Sequence, residues 1–308
     1  MEGLVPAPKS EDAGIFQKLF GLIDSGDQAA VLESLDQQFG GDPNVADEAG
    51  TTPLLVAAKE GKVEIVQALM EKKADLMMAD VDGDNPLMVA IAQGHMEIVN
   101  NFMAADDRGM DLDASNKIGQ TPLIKAAKKA NIECVKMLLA AKCNPNGKTK
   151  DGKTALIQAV EINSLESATE LLKAGADISL ADDLGFTALF PAAFRCNVPM
   201  LELLLSSKAN AAAKAKPGTA LMMAVEAPSF KPDAVKLLVE HGCPLDEVSA
   251  DGDTALMKAV EENNTDGVAA LLAARADSTK KNQEGKTALD LAKERGLKAL
   301  EELLAGAP

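Results

Sequence analysis

Pairs of large apolar residues recur along the chain at near-constant distance: Leu69-Met70, Phe102-Met103, Leu138-Leu139, Leu171-Leu172, Leu204-Leu205, Leu237-Leu238, Leu271-Leu272 and Leu303-Leu304. Each lies in a stretch whose apolar positions fall three and four apart, which predicts an amphipathic helix. Upstream of every pair stands a shorter apolar run headed by a polar residue: Thr52-Pro53-Leu54, Asn85-Pro86-Leu87, Thr121-Pro122-Leu123, Thr154-Ala155-Leu156, Thr187-Ala188-Leu189, Thr219-Ala220-Leu221, Thr254-Ala255-Leu256 and Thr287-Ala288-Leu289. The leading residue suits a helix N-cap, where a side-chain oxygen accepts a free backbone N–H and contributes about 1 kcal/mol. Proline or alanine next suits the first helical position.

These eight headings are separated by 33, 36, 33, 33, 32, 35 and 33 residues, and five residues after each stands an alanine, from Ala57 to Ala292. Small or polar residues then break the first helix (Gly61, Gly94, Asn131, Asn163, Asn197, Asn263, Gly296), and a polar stretch with a glycine precedes the next heading. The repeating unit reads helix, short loop, helix, turn-forming loop. A period this regular is that of a stacked supersecondary unit.

The phrasing of residues 50–78, GTTPLLVAAKEGKVEIVQALMEKKADLMM, closely resembles the ankyrin repeat, and the resemblance extends over about residues 42–306. It implies an all-α ankyrin-repeat solenoid of about eight stacked helix-loop-helix repeats joined by hairpin-like turns. Residues 1–9 are expected to be a flexible N-terminus, and residues 10–41 a degenerate capping unit with helices near 12–23 and 28–39. The repeat domain is expected over 42–308, continuous with that cap, its last repeat (282–306) closing the C-terminal end. The family usually places histidine after Thr-Pro-Leu. Here Leu55, Met88, Ile124, Ile157, Phe190, Met222, Met257 and Asp290 stand there, so apolar packing is expected in place of an imidazole contact.

Composition narrows the rest. The 308 residues include 31 Lys+Arg and 47 Asp+Glu, a formal charge of −16, with no Trp and no Tyr. Net negative charge repels phosphate and no stacking Tyr or Trp is available, so nucleic acid is not an expected partner. No run of about 18 uncharged apolar residues predicts membrane insertion, and charges at Glu2, Lys9, Glu11, Asp12 and Lys18 interrupt any secretory core. Four cysteines without a CxxC pair fit a reducing compartment, so a cytoplasmic location is expected, with nucleus, cytoskeleton and organelle interior open.

Catalytic and metal chemistry find little support. His95 and His241 are expected to be structural, the first beside Gly94 and the second at a helix end. Cys134, Cys143, Cys196 and Cys243 occupy slots filled by Ile65, Ala74 or Gly61 in other repeats, and His241 with Cys243 alone does not make a zinc site. Asp80-Val81-Asp82-Gly83-Asp84 has the alternating carboxylates of a calcium loop, but its twelfth position would be Ile91 where a bidentate Glu is needed. Phosphate-loop, nucleophile-elbow and dinucleotide motifs are absent from the sequence. No enzyme, cofactor, metal site or small-molecule substrate is expected.

What remains is binding of one or more proteins. The resemblance implies a groove formed by the loop tips and the exposed side of the first helices. Read onto this chain, that groove holds a lysine group, Lys117, Lys125, Lys128, Lys129, Lys150 and Lys153, then Leu184, Phe186, Phe194 and Arg195. Phe190 is expected inside, with Phe186 and Phe194 partly exposed. Phe230 stands at the tip of an unusually long interhelix loop, Ala227 to Pro232. The lysines are either a docking surface for a partner segment with acidic residues and an apolar anchor, or a solvated face. Such a chain is expected to act as an adaptor or structural component of a larger assembly, or alternatively as a regulatory or inhibitory subunit masking one enzyme or transcription factor.

Overall fold

The computed structural model describes residues 12–105 and 109–306; the expected flexible segment 1–9, and Asp106, Asp107 and Arg108 after the second repeat, lie outside the described residues. The chain divides into two compact units, Met1–Lys150 and Asp151–Pro308.

In the N-terminal unit, α1 (Asp12–Ser25) and α2 (Gln28–Phe39) form the first pair. The first helices of the next three repeats, α3 (Pro53–Lys59), α5 (Pro86–Gln93) and α7 (Pro122–Lys128), alternate with the second helices α4 (Val63–Glu71), α6 (Met96–Met103) and α8 (Ile132–Ala140). α1 packs on α3, α3 on α5 and α5 on α7, while α2 packs on α4 and α4 on α6, so two helical layers face each other. In the C-terminal unit the inner layer is α9 (Ala155–Glu161), α11 (Leu189–Phe194), α13 (Ala220–Val225), α15 (Ala255–Glu261) and α17 (Ala288–Glu294). Its outer layer is α10 (Leu165–Lys173), α12 (Val198–Ser206), α14 (Pro232–Glu240), α16 (Thr265–Ala273) and α18 (Lys298–Ala305). Each helix of these layers packs on the next of the same layer.

From α3 onward the helices are six to nine residues long, too short to persist alone in water, so contact with neighbouring repeats holds them. The recurrent alanines Ala57, Ala90, Ala126, Ala159, Ala192, Ala224, Ala259 and Ala292 are buried, and with nothing beyond Cβ they let the helices approach closely. Leu55, Met88, Ile124, Ile157, Phe190, Met222 and Met257 are also buried, so apolar packing fills the place of the family's histidine. Asp290 differs: it is exposed and closes a capping box with Thr287.

Seven of the eight heading residues cap as expected. Thr52, Asn85, Thr121, Thr154, Thr219, Thr254 and Thr287 each accept the backbone N–H three residues ahead, at 2.9–3.4 Å. Thr187 does not; α11 begins later, with Ala188 in the cap position. The cause is Pro191, whose nitrogen carries no proton to donate to the Thr187 carbonyl, which takes the Phe190 N–H instead at 3.1 Å.

The interhelix break also needs correction at two places. Asn131 and Asn197 are not the residues that turn the chain but cap α8 and α12, each accepting the N–H three residues on. The left-handed residues there are Ala130 (φ 54°) and Cys196 (φ 44°), one position earlier. Within the otherwise helical C-terminal unit, a two-residue antiparallel ladder joins β1 (Lys214–Ala215) to β2 (Gly218–Thr219), closed by Lys216-Pro217.

The four cysteines are buried and free. Burial pushes the thiols of Cys134, Cys143 and Cys243 up to about 11 and raises Cys196 as well. Thiolate is the reactive form, so the folded protein at about pH 8 should leave all four unmodified by a disulfide reagent, and all should react once it is unfolded. Rapid labelling of any cysteine under native conditions, read by mass spectrometry, would contradict the packing described.

Candidate protein-binding surface

The turn-forming loops are built by one device. Asp47, Asp80, Asn116, Asp182, Ser249 and Asn282 each accept the backbone N–H groups two and four residues ahead, folding the chain into a tight tip. The acid-rich run at Asp80 is one of these tips: Asp80 Oδ1 accepts from Asp82 N and Asp84 N, both at 2.9 Å. Among the described residues, no group of three or more His, Cys, Asp or Glu side chains is placed to hold a metal ion. Neighbouring tips are tied by backbone bonds: Lys117 N donates to Asp82 O and Lys150 N to Ile118 O, both at 2.9 Å. In the C-terminal unit Asp183 N donates to Asp151 O at 3.1 Å and Lys216 N to Leu184 O at 3.0 Å.

At the far end of the inner helices, side chains of the next repeat cover the last carbonyls. His95 Nε2 is 2.9 Å from Lys59 O, Arg195 Nη2 donates to Glu161 O at 2.6 Å, and Arg295 Nη1 to Glu261 O at 2.7 Å. His241 Nδ1 lies 2.9 Å from Leu237 O at a helix terminus. Both histidines are thereby occupied in holding backbone.

Tips and inner-helix ends enclose common hollows. In the C-terminal unit a hollow of about 240 Å³ is lined by Ile157, Glu161, Phe186, Phe190, Pro191, Phe194 and Met223. Phe190 forms its floor at 2% exposure, with the Phe186 ring tilted against it at 5.2 Å between centroids. Phe194 is 43% exposed and Leu184, on the neighbouring tip, 49%. Glu161 brings charge to the same hollow, where Lys153 Nζ lies 2.7 Å from its Oε1; this hydrogen bond raises the Lys153 ammonium above its ordinary value.

The remaining expected residues fall in several places. Lys117, Lys128, Lys129 and Lys150 are exposed in the N-terminal unit, and among the described residues no carboxylate pairs with them. Lys125 does not join them: its Nζ sits 2.6 Å from Asp84 Oδ2 and its side chain is only 12% exposed. Four residues after the heading, a side chain lies on the floor of the face instead of its rim. Arg195 is exposed but committed to the Glu161 carbonyl, and Phe230 is half-buried. Of the lysine group, only Lys153 shares a compact unit with the phenylalanine hollow; Lys117, Lys125, Lys128, Lys129 and Lys150 belong to the other.

Reading by sequence missed Pro191 and Met223 in this lining, and Val56, Val89 and Leu291 in other hollows. All five stand four residues after a heading residue, the position of Lys125 and Lys258 as well. That register was the available signal.

The sequence family described as Ankyrin repeats (3 copies) matches residues 20–116, 97–182, 163–247 and 221–307, nearly all of the described chain. The chain belongs to the ankyrin-repeat family. Its curated relatives include the Ankyrin repeat and KH domain-containing protein mask-1 of Caenorhabditis elegans, 30% identical over 245 residues, which cover 79% of this chain and 8% of that protein. The Neurogenic locus notch homolog protein 1 of Danio rerio is 34% identical over 147 residues, 48% of this chain and 6% of that protein. This ankyrin-repeat chain thus matches less than a tenth of the length of either relative.

Among solved structures, the ankyrin repeat domain of Bcl-3, described as a unique member of the IkappaB protein family, superposes with a TM-score of 0.63 at 26% identity, over 72% of this chain and 97% of that one. An ankyrin repeat domain from Acinetobacter baumannii AYE gives 0.57 at 32% identity, over 63% of this chain and 100% of that one. Ankyrin repeats are protein–protein interaction modules and are typically non-catalytic. Among the described residues no helix is long and apolar enough to cross a membrane.

Proposed function

We propose that this ankyrin-repeat chain is an adaptor or structural component of a larger assembly, acting in the cytoplasm and holding segments of partner proteins on the tip-and-helix face of its repeats. The phenylalanine hollow of the C-terminal unit carries this reading. Interface hot spots are usually Trp, Tyr or Arg, and a chain without the first two has gathered three of its eight phenylalanines around one cavity. An apolar side chain of the partner fits there, and acidic residues of a partner fit the unpaired lysines of the N-terminal unit.

A second reading is a regulatory or inhibitory subunit that masks one enzyme or transcription factor through the same face. Native purification separates the two: a large stable assembly supports the adaptor, a one-to-one complex the regulator. The shared premise is tested by crosslinking the endogenous protein, identifying its partners by mass spectrometry, and repeating the capture with Leu184→Asp/Phe194→Asp. Both positions are exposed, so the variant should melt with the parent while losing its partners. Undiminished capture would remove the hollow from the interface.

A further inference from the structure

The N-terminal unit carries fields of opposite sign on one face. At one end, a hollow of about 520 Å³ has an apolar floor from Leu55, Val56 and Val89 and a rim that includes Asp24, Glu60 and Asp82. These three carboxylates are exposed and among the described residues have no cationic partner, whereas Asp80 and Asp84 are committed to the tip turn and to Lys125. Lys59 is a cation of the same lining. At the other end, the repeat over residues 114–150 holds eight lysines against one carboxylate, Glu133, in a chain whose net charge is −16. Of its exposed, unpaired lysines, Lys117, Lys128, Lys129 and Lys150 stand in the tip and helix-end registers that in the preceding repeats line the acidic hollow.

Between the two fields lie the most exposed large apolar residues described, Val81 and Ile118, each 55% exposed. They sit on neighbouring tips, joined by the bond from Lys117 N to Asp82 O. Three lysines of the C-terminal unit are paired instead: Lys153 with Glu161, Lys258 with Asp253 and Glu261, Lys286 with Glu284 and Glu294.

We propose that the N-terminal unit binds an extended peptide segment of segregated charge: basic residues over the acidic hollow, aliphatic residues across Val81 and Ile118, and carboxylates on the lysine repeat. Charge complementarity at both ends sets the direction in which the segment lies, because the reversed placement meets like charge twice. This deepens the function proposed above by giving this unit its own partner chemistry.

The test uses the full chain and a fluorescein-labelled peptide of about 12 residues with a Lys/Arg end, a Leu-Val centre and an Asp/Glu end, read by anisotropy at low salt. It should bind at least about tenfold more tightly than a peptide of identical composition with alternating charges. Lys128→Glu/Lys129→Glu should erase that advantage, and a peptide whose acidic end is exchanged for lysines should regain it on the variant. Equal affinities, or no binding up to about 1 mM, would overturn the proposal, as would an unaffected K128E/K129E variant. Leu184→Asp/Phe194→Asp, in the other unit, should leave peptide binding unchanged. Partner capture lost in that variant while the peptides fail to discriminate would refute this inference and leave the adaptor reading standing.

Discussion

Gly119→Ala should destabilise the N-terminal unit far more than Gly94→Ala, although the two glycines share nearly the same backbone. Gly119 has φ +80° and Gly94 φ +81°, so alanine meets the same left-handed penalty of about 1–2 kcal/mol at either place. Their surroundings differ. A Cβ on Gly94 would meet nothing within 4 Å, whereas one on Gly119 would stand 2.8 Å from Lys150 N, 2.9 Å from Thr149 Cα and 3.0 Å from Lys148 O. Those atoms are backbone of the next tip and cannot swing away. Relief requires the tips to separate, which breaks the bond from Lys150 N to Ile118 O and adds about 1 kcal/mol or more. Thermal melting of the two variants should therefore show about 1 kcal/mol lost for Gly94→Ala and about 2–4 for Gly119→Ala. Equal losses would mean that tip-to-tip contact contributes nothing beyond local backbone preference.

Phe190→Ala is expected to cost about 3–5 kcal/mol, and Phe194→Ala under about 1, although one turn of the same helix separates them. Phe190 is 2% exposed, stands in the histidine slot and has the Phe186 ring against it. Removing its ring opens a cavity in a layer held by contact between neighbouring repeats. Phe194 at 43% exposure already faces water along one side. Denaturant titration reads the stabilities. The partner capture described above should respond in the opposite order per kcal/mol lost, with Phe194→Ala weakening binding while hardly moving the midpoint. A Phe190→Ala variant as stable as the parent would refute its place in the core.

Much of this architecture was legible because a repeat announces itself many times over. Any one Thr-Pro-Leu is weak evidence for a helix start, but eight in register constrain each other, and the alanine five residues on can serve only one packing role in all of them. The errors are local and physical. Thr187 has the same spelling as its counterparts, yet Pro191 removes the donor that would draw the first turn around it. Asn131 and Asn197 look like breakers, but a residue at either break can turn left-handed or cap the next helix, and here Ala130 and Cys196 take the strained conformation. Lysines were the hardest to place. Lys125 and Lys128 lie one turn apart on α7, and only coordinates reveal that the first is spent on Asp84 while the second is exposed and unpaired.

Period, helix pairing, caps and buried positions follow from sequence alone, because they depend on contacts between elements near in the chain and repeated at a fixed interval. Which charged groups are free follows only from tertiary structure. An ion pair such as Lys125 with Asp84 joins side chains 41 residues apart, in neighbouring repeats, and a difference of a few ångströms in their approach decides between a closed pair and a binding surface. The hollow around Phe190 is of the same kind: its aromatic composition was visible in the sequence, but Ile157 and Met223 join it from adjacent repeats only once the layers are stacked.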